Sequence, residues 1–178
     1  MRRKSRVTRD VFHSKGEKSR AVAFAIVGVF GAAIGFLVAV HLSQGALLRE
    51  GLTPYDLWMI VAGSIGSMAG LYIAGNWFGH GGWPGMIKAL AASVWVSFVG
   101  SLIGGTLMLP LYGTMFGPFT LAVTLSSRPL FALLWFANLF GAHLMLTYWQ
   151  RERDSIFEAF DSGRVDAYRS ERDLQSGR

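Results

Sequence analysis

The sequence predicts an all-α polytopic membrane protein: four transmembrane helices, a re-entrant or interfacial segment between the third and fourth, and both ends in the cytoplasm. Three observations carry this. Charge is missing over long stretches, since Lys88 is the only charged residue within 57–127 and none occurs within 129–150, whereas helices exposed to water carry charge on one face every few turns. Hydrophobic residues make up 52% of the 178, against 16% charged. Finally, basic residues collect at the ends. Eight Lys and Arg fall in the first 20 residues against Asp10 and Glu17, an excess equal to the formal net charge of +6. The positive charge is therefore a topology signal and not the footprint of a nucleic-acid binder. Cysteine is absent, which removes disulfides, thiolate metal sites and cysteine nucleophiles.

Residues 1–20 read as a cytoplasmic tail, whose Arg2, Arg3, Lys4, Arg6, Arg9, Lys15, Lys18 and Arg20 suit anionic lipid headgroups. They lack the shape of a secretory signal and the remainder of a twin-arginine motif. A transmembrane helical domain follows over 21–149. Its first span, 21–41, is long enough at ~1.5 Å per residue to cross a ~30 Å hydrocarbon layer. Arg49, Glu50 and Pro54 mark a short polar loop before the second span, 55–78, which the turn Gly79-His80-Gly81-Gly82-Trp83-Pro84 ends. The third, 85–109, stops at Pro110, and the last, 129–149, meets Arg151, Glu152, Arg153 and Asp154. The tail 150–178 holds six Arg and seven acids. It is expected to be solvated and cytoplasmic, with Ile156, Phe157 and Phe160 able to form one amphipathic turn on the membrane.

Segment 111–127 is apolar but broken by Gly113, Gly117 and Pro118. With four spans, 15 basic residues lie inside against Arg49 and Arg128 outside; were this segment a fifth span, the split would be ten against seven. The positive-inside rule selects four, leaving 111–127 at the outer surface or dipping into the bundle.

One spacing recurs. Gly28, Gly31, Ala32, Gly35 and Ala39 repeat in offset as Gly63, Gly66, Ser67, Gly70 and Ala74, and Ser97, Gly100, Ser101 and Gly104 repeat the first four positions. These offsets fall in a stripe about 100° wide on a helix. In lipid, close backbone approach and the dispersion it permits drive helix association. The first two spans are therefore expected to pack stripe to stripe.

Polar residues within the spans are few. Asn138 is expected to form an interhelical hydrogen bond. His143 is the one candidate for holding a cofactor, as a single-histidine pigment site, although a structural role is the commoner fate of such a histidine. His41 falls at the outer end of its span and His143 near the inner end of its own, roughly 20 Å apart in depth at ~1.5 Å per residue and so too far apart to share one haem. Ser64 with His143 would make a Ser–His pair, but the pattern of an intramembrane protease does not surround it. No catalytic or metal site is expected. Trp58, Trp77, Trp83 and Trp149 sit near span ends, as interfacial tryptophans do, while Trp95 and Trp135 lie deeper.

Gly66, Gly70, Gly75, Gly79, Gly82 and Trp83, followed by Tyr112 and Gly117-Pro118, give about half of the chain a spacing that resembles TrgA-type proteins, small polytopic membrane proteins associated with tellurite resistance in alphaproteobacteria. The resemblance implies no catalytic or binding residue. The functional expectation is a non-enzymatic accessory, assembly or scaffold subunit of the bacterial inner membrane, as a homo-oligomer or within a larger complex, without a cofactor. The alternatives are a permeation protein and a pigment-binding or stress-resistance protein.

Overall fold

A computed structural model describes residues 15–45 and 47–176, with side chains through residue 155. The elements are α1 (Lys15–Leu42), α2 (Leu47–Glu50), α3 (Pro54–Ala74) with a 3-10 turn Gly75–Trp77, α4 (Gly82–Met108), α5 (Tyr112–Ser127) and α6 (Pro129–Ser176). No strand occurs among the described residues. Four segments are long and apolar enough to cross a membrane: α1, α3 with its turn, α4, and Pro129–Ser155 of α6. The protein is thus an all-α polytopic membrane protein.

The ends of the helices follow local chemistry. Thr53 caps α3: its Oγ1 accepts from the Asp56 N–H at 3.2 Å while Asp56 Oδ2 accepts from the Thr53 N–H at 2.8 Å, with Pro54 in the first turn. Asp56 is buried at 7% exposure, and this cap is what its carboxylate does. Two boundaries differ from the sequence expectation. Lys15, Lys18 and Arg20 belong to the first turns of α1 and not to a tail. α6 runs through Arg151, Glu152, Arg153 and Asp154 to Ser176, because Arg and Glu end an apolar run without ending a helix, for which they have good propensity. The side chains of Ile156, Phe157 and Phe160 lie outside the described residues.

Contacts between the helices divide the bundle into two ends. At the proximal end the start of α1, the α3–α4 turn and α6 meet. Ser19 Oγ donates to Met145 O at 3.1 Å, Gln150 Nε2 to Phe78 O at 3.0 Å and Gly79 N–H to His143 Nδ1 at 3.1 Å, and Gly16 N–H donates to Glu152 Oε2. Gly79 is obligatory there: its φ is +89°, and an added Cβ would collide with the Gln150 amide. At the distal end Trp58 Nε1 donates to Leu107 O at 2.8 Å, and Ala39, Leu47 and Met59 pack with Met108. The main core extends from the proximal end to mid-depth, with Val27, Leu71, Phe78, Val96, Trp135 and Leu139 fully packed. α3 is central, flanked by α1 on one side and α4 on the other.

α5 does not cross. It leaves α4 at the distal end through Leu111, whose φ of 70° and ψ of −60°, with Tyr112 N–H donating to Pro110 O at 2.9 Å, make a classic γ-turn. It returns to α6 at Pro129, 20 residues before Trp149 of the proximal end, or about 30 Å of helix. Both ends of α5 therefore lie in the distal half, and its 16 residues run inclined across that half. The segment 111–127, expected to be re-entrant or interfacial, is thus helical.

Candidate functional site

The small residues of the stripes make three seams. Between α1 and α3, a Cβ on Gly31 would lie 2.5 Å from Gly63 O, and one on Gly35 would lie 2.5 Å from Met59 O. Gly28 is looser, its Cβ position 3.1 Å from the Met68 side chain, and Ala32 is half-buried. Between α3 and α4, a Cβ on Gly66 would lie 2.8 Å from Gly104 N, and one on Gly70 would lie 2.7 Å from Val96 O; Gly100 in turn faces Gly66 O at 3.1 Å. The stripe of α3 is thus divided, Gly63 and Ser67 turning to α1 and Gly66 and Gly70 to α4. A central helix has two neighbours, and a stripe 100° wide reaches both. The third seam, between α4 and α5, sets Gly105 against Gly113 and Gly117 against Ser101 O, with the Thr106 and Thr114 hydroxyls 2.7 Å apart. The sequence carried its signal in Gly113-x-x-x-Gly117, a small-x-x-x-small pair that the stripe analysis did not include.

These seams enclose a cavity of about 430 Å³ in the distal half, within the ~300–1,000 Å³ range of small-molecule pockets. Its walls include Gly31, Gly35 and Val38 of α1, Gly63 and Ser67 of α3, Gly100 and Gly104 of α4, and Gly117 and Leu121 of α5. Trp135 forms the floor at 2% exposure, its Nε1–H donated at 2.9 Å to Ser97 Oγ. Ser97 in turn donates its O–H to Ser93 O at 2.8 Å, so the donors of this pair are satisfied within the protein. The other Ser and Thr hydroxyls of the lining are also spent on backbone carbonyls: Ser67 on Val27 O and Ser64 O, Ser101 on Phe98 O, Thr120 on Phe116 O. Among the described residues no Asp, Glu, Lys, Arg or His lines the cavity. The exposed Leu42, Tyr55, Leu109, Tyr112, Phe116 and Phe119 form its rim.

The remaining polar residues are dispersed. His143 is buried at 3% exposure between the Phe78 and Phe140 rings. Because its Nδ1 accepts the Gly79 N–H, the neutral ring carries its proton on Nε2, which leaves no free lone pair for an axial bond. The role is structural, closing the α3–α4 turn onto α6. His143→Leu strands that buried N–H and is expected to cost about 1–3 kcal/mol, read as a lower Tm in detergent, with His143→Asn losing less. Ser64 is about 20 Å along α3 from Gly79, so no Ser–His pair forms. The interhelical hydrogen bond expected of Asn138 is not formed among the described residues, where its Nδ2 is buried and has no partner.

Trp95 points outward at 45% exposure, stacked on Trp77 at 6.4 Å and tilted against Phe98 at 6.2 Å. Of the basic residues, Arg20 lies over the Trp149 ring at 4.9 Å, with Arg153 over the same ring at 5.0 Å. Lys15 and Lys18 flank it in α1, while Arg2, Arg3, Lys4, Arg6 and Arg9 lie outside the described residues. Among the described residues no group of three His, Asp or Glu is placed to hold a metal ion. Comparison with protein-family models, curated proteins and solved structures finds no match, so the resemblance to TrgA-type proteins rests on glycine spacing alone.

Proposed function

We propose that the chain is a non-enzymatic accessory or scaffold subunit of a bacterial inner membrane, working by binding within the bilayer and keeping both termini in the cytoplasm. The observation that carries this reading is the chemistry of the cavity: among the described residues its lining has no charged side chain or histidine, and its Ser and Thr hydroxyls are held by backbone carbonyls or by Trp135. Such a surface can bind and orient but lacks an acid–base pair. The distribution of 15 basic residues against two supports a cytoplasmic proximal end, where Lys15, Lys18 and Arg20 would meet anionic headgroups.

The glycine seams are filled within the chain, so contacts with another copy or a partner subunit fall to the remaining faces. The Trp77–Trp95–Phe98 cluster is the most aromatic of them. Blue-native electrophoresis in mild detergent tests the reading. A species heavier than the 19.5 kDa chain with its detergent, reduced in a Trp77→Ala/Trp95→Ala variant, is expected; a monomer alone counts against assembly.

A further inference from the structure

We propose that the distal cavity seats one acyl chain of a phospholipid from the distal leaflet, its ester end level with Tyr55 and Tyr112 and its methyl end above Trp135. Depth is the first argument. Along α4 the lining runs from Val96 to Met108, about 18 Å of helix axis. That is about half of a ~30 Å hydrocarbon layer, the depth that a chain anchored at one interface occupies.

Chemistry is the second. The floor offers no free donor because Trp135 donates to Ser97 and Ser97 to Ser93 O, so a ligand with a polar inner end would lose its partners on entering. Water is disfavoured for the same reason, as it needs two to four polar partners. A void left empty forfeits the dispersion contacts of its walls. A peptide segment would bring unpaired backbone groups into hydrocarbon. A methylene chain has none of these costs, and the surrounding bilayer supplies it at very high concentration.

The rim is the third. Tyr55 and Tyr112 are exposed at 45% and 72%, at the distal end, where amphipathic rings sit at headgroup level. Phe116 and Phe119 of α5 continue the rim along the membrane, so a lipid can enter sideways without leaving its leaflet. α5, inclined across the distal half, forms the outer wall.

This assignment stands apart from the accessory reading, since a monomer could hold a lipid and an oligomer could lack one. The full chain is reconstituted in nanodiscs of phosphatidylglycerol carrying a photoreactive diazirine at mid-chain, illuminated, and its adducts mapped by mass spectrometry. Adducts are expected at Val38, Leu121 and Trp135, in addition to the lipid-facing Leu90 and Val94, which are 64% and 57% exposed. In Val38→Trp and Leu121→Trp, which fill the cavity, adducts at Trp135 should fall by roughly tenfold, the effect of about 1.4 kcal/mol of lost binding. Unchanged adducts at Leu90 and Val94 report that the variants have folded.

Adducts confined to Leu90 and Val94 overturn the proposal, as do cavity adducts that both filled variants leave untouched. Cavity adducts formed by the diazirine fatty acid and not by the phospholipid overturn the choice of occupant. The absence of cysteine allows one more arm: labelling of Ser101→Cys by a charged, membrane-impermeant thiol reagent would show an aqueous vestibule and contradict the proposal, whereas the thiol is expected to stay inert.

Discussion

Gly70→Leu is expected to pull the bundle apart in mild detergent, at a cost of about 3 kcal/mol or more, and Gly35→Leu to do the same at the other face of α3. Overpacking a core costs about 1–3 kcal/mol when neighbouring side chains can give way. Here the obstructing atoms are Val96 O, 2.7 Å from the Cβ position of residue 70, and Met59 O, 2.5 Å from that of residue 35. Carbonyls held in a helix cannot rotate aside, so the helices must separate and lose the contacts of the whole seam. Gly141→Ala is the control, since nothing lies within 4 Å of its Cβ position. It should leave the fold unchanged or stabilise it by about 0.5–1 kcal/mol, the propensity gained over glycine in a helix. Thermal unfolding in detergent reads all three, and an unchanged Tm in both leucine variants would contradict the seams.

Trp135→Ala is expected to cost about 3–5 kcal/mol, as large-to-small changes of buried aromatics do. Trp135 belongs both to the main core and to the floor of the cavity, so truncation joins the cavity to the core where Val27, Leu71 and Val96 pack. Trp135→Phe keeps most of the volume and removes only the bond to Ser97. A double-mutant cycle with Ser97→Ala should return a coupling of about 0.6 kcal/mol, the average for such bonds in membrane helices. A Trp135→Ala variant as stable as Trp135→Phe would show that the indole is not part of the core.

The spans were legible because hydrocarbon demands continuous apolar runs. The expected 55–78 and 85–109 correspond to Pro54–Ala74 with its turn and to Gly82–Met108. Helix ends were less legible wherever charge and propensity disagree, as at Lys15 and at Arg151, since polarity marks the edge of the membrane and not the end of the hydrogen-bond ladder. Periodicity placed Gly63, Gly66, Ser67 and Gly70 on one stripe but could not say that the stripe straddles two neighbours. Asn138 shows the same limit from the other direction: its polarity does not reveal that its Nδ2 is buried with no partner among the described residues. The cavity was invisible in the sequence because its walls come from α1, α3, α4, α5 and Trp135 of α6, and only their packing brings Gly31 and Gly100 to one space. Trp135 was seen to lie deep, yet its partner Ser97 is 38 residues away.

The central claim is that α5 turns back within the distal half, so that the chain crosses four times. The measurement that tests it most directly uses single cysteines in this cysteine-free chain, probed in sealed, oriented membranes with an impermeant maleimide. Leu48→Cys lies at the distal end, Trp83→Cys in the proximal turn, and Ser155→Cys beyond the last span. The account predicts that Leu48→Cys reacts from one side, and that Trp83→Cys and Ser155→Cys react only from the other. Reaction of Ser155→Cys from the same side as Leu48→Cys would mean that residues 112–127 cross the membrane, and would contradict it.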